Sequence, residues 1–100
     1  MYPTTTIPKE SLADLCRQYH VSELALFGSA LRPDFRPDSD LDLLVTFEPG
    51  TQIGFLAMAR LARRLSEILG RKVDLVPKEG LKPLLRQEVL SHTEVLFAAG

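Results

Sequence analysis

The feature that most constrains this chain is a pair of short apolar runs separated by an interval of fixed length. Leu24-Ala25-Leu26-Phe27 ends at Gly28-Ser29; ten residues follow; Asp40-Leu41-Asp42 then opens a second run, Leu43-Leu44-Val45. Apolar runs this short, bounded by glycine on one side and a proline- and aspartate-bearing interval on the other, read as strands. A run apolar at successive positions suits a strand covered on both faces. In an extended segment residues i and i+2 share a face. Asp40 and Asp42 therefore stand side by side, while Leu41, Leu43 and Val45 fill the opposite face. Two like charges so placed repel, and the pair is tolerated at an exposed strand start or where a cation bridges it.

The rest of the chain reads as support for these two strands. Its 100 residues make one domain, with 45% hydrophobic and 25% charged residues, as in an ordinary globular protein. The net charge of -1 argues against a broad basic surface for extended nucleic acid. The single cysteine, Cys16, excludes an internal disulfide framework and suits a reducing cytoplasm. No apolar run is long enough to span a bilayer and no signal peptide opens the chain, so a cytoplasmic, non-membrane protein is expected.

In chain order, Met1 to Ile7 reads as a loosely held N-terminal arm and 8–100 as the domain. Pro8 to His20 is expected to be a helix with Pro8 in its first turn and Leu12, Leu15, Cys16 and Tyr19 on one face. Cys16 reads as a core residue, and His20 as a cap or surface residue. Strands are expected near Glu23 to Phe27, Asp40 to Thr46 and Lys72 to Val76, with an edge strand from Glu94 to Phe97. Ser29 to Arg32 suggests one helical turn, Pro33 to Ser39 a loop, and Pro83 to Ser91 a short helix. Phe55 to Leu69 carries the clearest helical stripe, Leu61, Leu65, Ile68 and Leu69, extended by Phe55, Met58 and Ala62. Gly70 closes that helix. Arg60, Arg63, Arg64, Arg71 and Lys72 read as a solvated basic face, or as a contact for an acidic partner. Leu96 and Phe97 are assigned to the core, and His92 to the surface. The fold class is α/β (α+β): a two-layer sandwich with a small mixed sheet flanked by helices. The first two strands suit an antiparallel pair, and the helical crossover from Val45 to Val73 favours a parallel step.

Three elements could carry chemistry. Asp40 and Asp42 offer oxygen ligands of the kind Mg²⁺ takes beside phosphate and water; the plainer alternative is a polar strand face. Gly28 lets backbone approach a phosphate closely. Ser29 offers a hydroxyl and an N–H, and Arg32, one turn on, can neutralise phosphate charge; the alternative is a simple strand-to-helix junction. Asp74, inside Val73-Asp74-Leu75-Val76, could hold a second ion or take a proton from an attacking hydroxyl. Its alternative role is an ion pair with Arg71 or Lys72.

Taken together, Leu26-Phe27-Gly28-Ser29, the ten-residue interval, Asp40-Leu41-Asp42-Leu43-Leu44-Val45 and Leu69-Gly70-Arg71-Lys72-Val73-Asp74-Leu75-Val76 resemble the minimal nucleotidyltransferases of the DNA polymerase β-like superfamily, which include the MntA-like antitoxins paired with HEPN toxins. The resemblance runs from Leu12 to Phe97. It implies a nucleotidyltransferase fold, with Asp40, Asp42 and Asp74 as the catalytic and metal-binding acids and Gly28, Ser29 and Arg32 as nucleotide-binding residues. Ala30 stands where the family often has a basic residue, and Pro33 where a glycine is usual. The resemblance further implies two Mg²⁺ ions, ATP as donor, and transfer of AMP to a hydroxyl, in antitoxin relatives a tyrosine of the cognate HEPN toxin. Two other readings stay open: a non-catalytic module that neutralises its partner by binding, and a small-molecule nucleotidyltransferase. The latter needs a partner chain or a second copy to complete its pocket.

Overall fold

The computed structural model describes residues 7–28, 40–80 and 92–99. Helix α1 (Lys9–Gln18) leads into β1 (Val21–Phe27); β2 (Leu41–Phe47), α2 (Phe55–Leu69) and β3 (Val73–Pro77) follow, then a 3-10 turn (Lys78–Gly80) and β4 (Glu94–Ala98). The expected turn at 29–32, the loop at 33–39, the helix at 83–91 and the arm at 1–6 lie outside the described residues.

Pro8 is the residue before α1 rather than a first-turn residue, and its carbonyl accepts the Leu12 N–H at 3.0 Å. Ile7, the last residue of the expected arm, is buried, and it shares the core with Leu12. These are the two positions of a hydrophobic staple, which fixes the angle at which the chain enters the helix. At the other end the chain turns sharply: His20 takes φ 59°, and its carbonyl accepts the Glu48 N–H at 2.9 Å. That left-handed residue lets β1 start at Val21, earlier than the apolar run alone suggests.

The sheet has the order β3-β2-β1-β4. β1 pairs antiparallel with both β2 and β4, and β2 pairs parallel with β3 through the α2 crossover. This is the two-layer α+β arrangement with a mixed sheet. Both helices pack on one face: α1 meets β1 and α2, and α2 meets β3. Leu24 and Leu26, Leu41, Leu43 and Val45, and Val73 point into that layer and form one core with Leu12, Leu15, Cys16, Leu61, Leu65 and Leu69. At roughly 25 cal/mol per Å² of apolar surface removed from water, each fully buried leucine contributes on the order of 2 kcal/mol. The stripe of α2 is narrower than its sequence suggests: Phe55 is 87% exposed and Leu56 72%. They sit in the first turn, before the helix reaches the sheet. Leu96 and Phe97 on the edge strand β4 are half-buried against the core.

Candidate active site

The alternation along β2 decides what the other face of the sheet carries. With Leu41, Leu43 and Val45 committed to the helical layer, Asp42 must project from the opposite face. β3 repeats the pattern, because Val73 and Leu75 pack with the core and Asp74 does not. The parallel register sets Leu41 against Val73 and Asp42 against Asp74. Two acids thus stand on neighbouring strands at the same level and on the same face. Asp40 lies immediately before β2, half-exposed, and Lys72 immediately before β3. The Leu41 N–H donates to the Lys72 carbonyl at 2.9 Å and holds the two strand entrances together. The Lys72 ammonium lies 3.9 Å from Asp40 Oδ2.

β1 closes the third side. Phe27 pairs with Asp42 in the antiparallel register, so Gly28 emerges beside that carboxylate. Gly28 takes φ +73°, and a Cβ placed on it would lie 2.5 Å from Asp42 Oδ2 and 3.3 Å from its Cγ. Only a residue without a side chain lets the Asp42 carboxylate occupy that space. Ser29 and Arg32, the other expected cradle residues, lie outside the described residues.

The start of β3 is positioned from behind. Ser66 on α2 donates its hydroxyl to the Ala62 carbonyl at 2.8 Å and accepts the Val73 N–H at 3.0 Å. Gly70 takes φ 68° and turns the chain out of the helix. One side-chain oxygen therefore ties the last turns of α2 to the residue before Asp74. Sequence reading misses Ser66, because a serine inside a helix has no local pattern that announces a long-range acceptor. It also pairs Lys72 with Asp74 as one option, whereas the structure sets Lys72 against Asp40.

The acids present only carboxylate oxygens, the donor type that Mg²⁺ takes. Among the described residues, no three His, Cys, Asp or Glu groups stand close enough to ligate one ion together. The fit rests on the Asp42–Asp74 register and on Gly28, whose missing side chain leaves room for the Asp42 carboxylate at the end of β1. The arrangement suits a cation-bridged polyphosphate better than a neutral ligand. Cys16 takes no part: it is fully buried in the helical layer, and burial pushes its thiol up to about 11 against a smaller downward pull from Arg17.

Comparison with known proteins agrees with this geometry. Residues 9–96 match the sequence pattern of the nucleotidyltransferase domain. The protein adenylyltransferase MntA of Thermococcus cleftensis is 38% identical over 77 residues, covering 77% of this chain and 76% of its own length. A solved structure provisionally described as a minimal nucleotidyltransferase is 41% identical, superposes with a TM-score of 0.72 and covers 90% of both chains. A rebuilt structure of the tri-AMPylated Shewanella oneidensis HEPN toxin in complex with MNT antitoxin matches at 24% identity and a TM-score of 0.64, covering 91% of this chain and 70% of that one. This last likeness speaks for the fold. No helix among the described residues is long and apolar enough to cross a membrane.

Proposed function

The chain belongs to the nucleotidyltransferase domain family, and from that premise we propose that it transfers AMP from ATP to a hydroxyl of a partner protein, a tyrosine of a HEPN-type toxin, and so acts as an antitoxin. The observation that carries the reading is Asp42 held opposite Asp74 in a parallel register, with Gly28 folded against Asp42. The relative named for protein adenylylation supports a protein acceptor, and the AMPylated HEPN toxin bound to an antitoxin of similar fold supports a toxin as that partner; the tyrosine is what the family resemblance implies.

Asp40, Asp42 and Asp74 are the residues that would hold Mg²⁺, as two ions, and Mg²⁺ when bound neutralises triphosphate charge and polarises the transferred phosphoryl group. Gly28 gives the phosphates access to backbone, with Ser29 and Arg32 as the neighbouring donors. Asp74 is the most exposed of the paired acids and lies on the edge strand, where an incoming protein hydroxyl can reach it. The hydroxyl oxygen attacks the α-phosphorus, and its proton passes to the Asp74 carboxylate. The bond from the α-phosphorus to the bridging oxygen breaks, and pyrophosphate leaves with that electron pair.

The test is direct. The purified partner incubated with this chain and MgATP gains AMP, seen by intact mass, and Asp40→Ala/Asp42→Ala removes the gain while the fold stays intact by circular dichroism. A double variant that still neutralises the partner fully would show that binding alone accounts for the antitoxin effect.

A further inference from the structure

Lys72 and Asp74 are two apart on one extended segment, as are Asp40 and Asp42 on the neighbouring one. The hydrogen bond from Leu41 N–H to the Lys72 carbonyl sets the two strand entrances level, at 2.9 Å. The parallel register continues from there to Asp42 against Asp74. The register therefore places four charged residues at the entrances of two neighbouring strands: Asp40 beside Lys72 before the strands begin, and Asp42 level with Asp74 within them. The Lys72 ammonium and Asp40 Oδ2 are 3.9 Å apart, with the side chains 81% and 49% exposed. A pair this open is weak and easily exchanged.

We propose that Lys72 is the resident counter-ion at these strand entrances: it competes with the divalent cation for Asp40 and moves to the nucleotide phosphates once they arrive. The identity of the cation rests on the nucleotidyltransferase reading. An ammonium and a divalent ion on the same carboxylate repel each other, so Lys72 beside Asp40 Oδ2 weakens the hold of that carboxylate on the cation. Lys72 thus lowers cation uptake by the empty-handed enzyme and returns the lost affinity when a triphosphate, itself strongly anionic, draws the ammonium toward it. A flexible four-carbon stem with a point charge suits such an exchange better than the fixed fork of an arginine. Lys72 is a positioning residue in this scheme, acting through Asp40 and through the charge of the bound nucleotide.

The test uses calorimetric titration of the full chain with Mn²⁺ alone and with MgATP, for wild type, Lys72→Met and Lys78→Met. Lys78 follows the far end of β3, so its replacement makes the same change in net charge away from the acids. Lys72→Met should bind Mn²⁺ alone about 2- to 5-fold more tightly than wild type, with MgATP bound no more tightly or more weakly. Lys78→Met should match wild type in both titrations. The Lys72→Met gain should shrink as salt is raised. If Lys72→Met and Lys78→Met bind Mn²⁺ alike, the proposal fails while the site reading stands. If wild type takes up neither Mn²⁺ nor MgATP, both fall.

Discussion

The hydroxyl of Ser66 accepts the Val73 N–H at 3.0 Å, joining helix α2 to strand β3 one residue before Asp74. This contact anchors the start of β3 from the helical side, as the Leu41 N–H to Lys72 carbonyl bond does from β2. Replacing Ser66 with alanine leaves the Val73 N–H without its acceptor in a partly buried setting, at a cost of about 1–2 kcal/mol. Urea denaturation should show that loss with an unchanged m-value. Because Asp74 is the next residue, AMP transfer should also fall, and unaltered stability would mean that water replaces the hydroxyl at no cost.

Gly28→Ala should damage the site more than the fold. Alanine must adopt φ +73° and place its methyl 2.5 Å from Asp42 Oδ2. The backbone strain costs about 1–3 kcal/mol, and the Asp42 carboxylate has to move. Transfer should drop at least ~10²-fold, since catalysis tolerates little displacement. A variant with wild-type activity would show that the space beside Asp42 is not used.

Asp74→Asn keeps the size and removes the charge. If Asp74 serves the acceptor, kcat should fall about 10²- to 10⁴-fold, while ATP affinity changes by less than about threefold. Single-turnover transfer and equilibrium nucleotide binding separate the two. Equal losses in both would place Asp74 in donor binding instead.

Cys16 gives a stability test that is independent of the active site. Burial raises its thiol from 9.0 to about 11, so the native state keeps a proton that the unfolded chain has already lost. This contribution is whole below about pH 9 and declines by up to about 1.4 kcal/mol per pH unit as pH rises toward about 11. Denaturation at pH 8 and pH 10 should show a steeper loss for wild type than for Cys16→Ala. Iodoacetamide should modify Cys16 only as fast as the protein unfolds.

Much of this was legible in local pattern. The α2 helix carries its bounds in its own residues, from Phe55 to the left-handed Gly70. The strands follow from their apolar runs, and the antiparallel and parallel steps from the lengths of their connections. Asp74 stands out as an acid inside an apolar strand, and Asp40 and Asp42 as two like charges on one face at a strand start. Phe55 misled, since helical spacing reports which residues share a face and not where along the helix that face meets the sheet; it is 87% exposed. Ile7 misled in the other direction, because a residue before a helix is buried only if the chain folds back over it.

By itself, then, the sequence determined which segments are extended or helical, that Asp42 and Asp74 each face away from their strand's apolar partners, and that the chain has the motifs of a nucleotidyltransferase. Alternation and spacing are properties of neighbours in the chain, so they can be read there. Only the tertiary structure decided that Asp42 lies level with Asp74, that Gly28 closes against Asp42, and that Lys72 pairs with Asp40. A shift of the β3 register by one residue would send Asp74 into the helical layer. What forbids that shift is the simultaneous burial of Leu41, Leu43, Val73 and Leu65 in one core, together with the Ser66 anchor on Val73. Those constraints join residues distant in the chain, and no local stretch contains them.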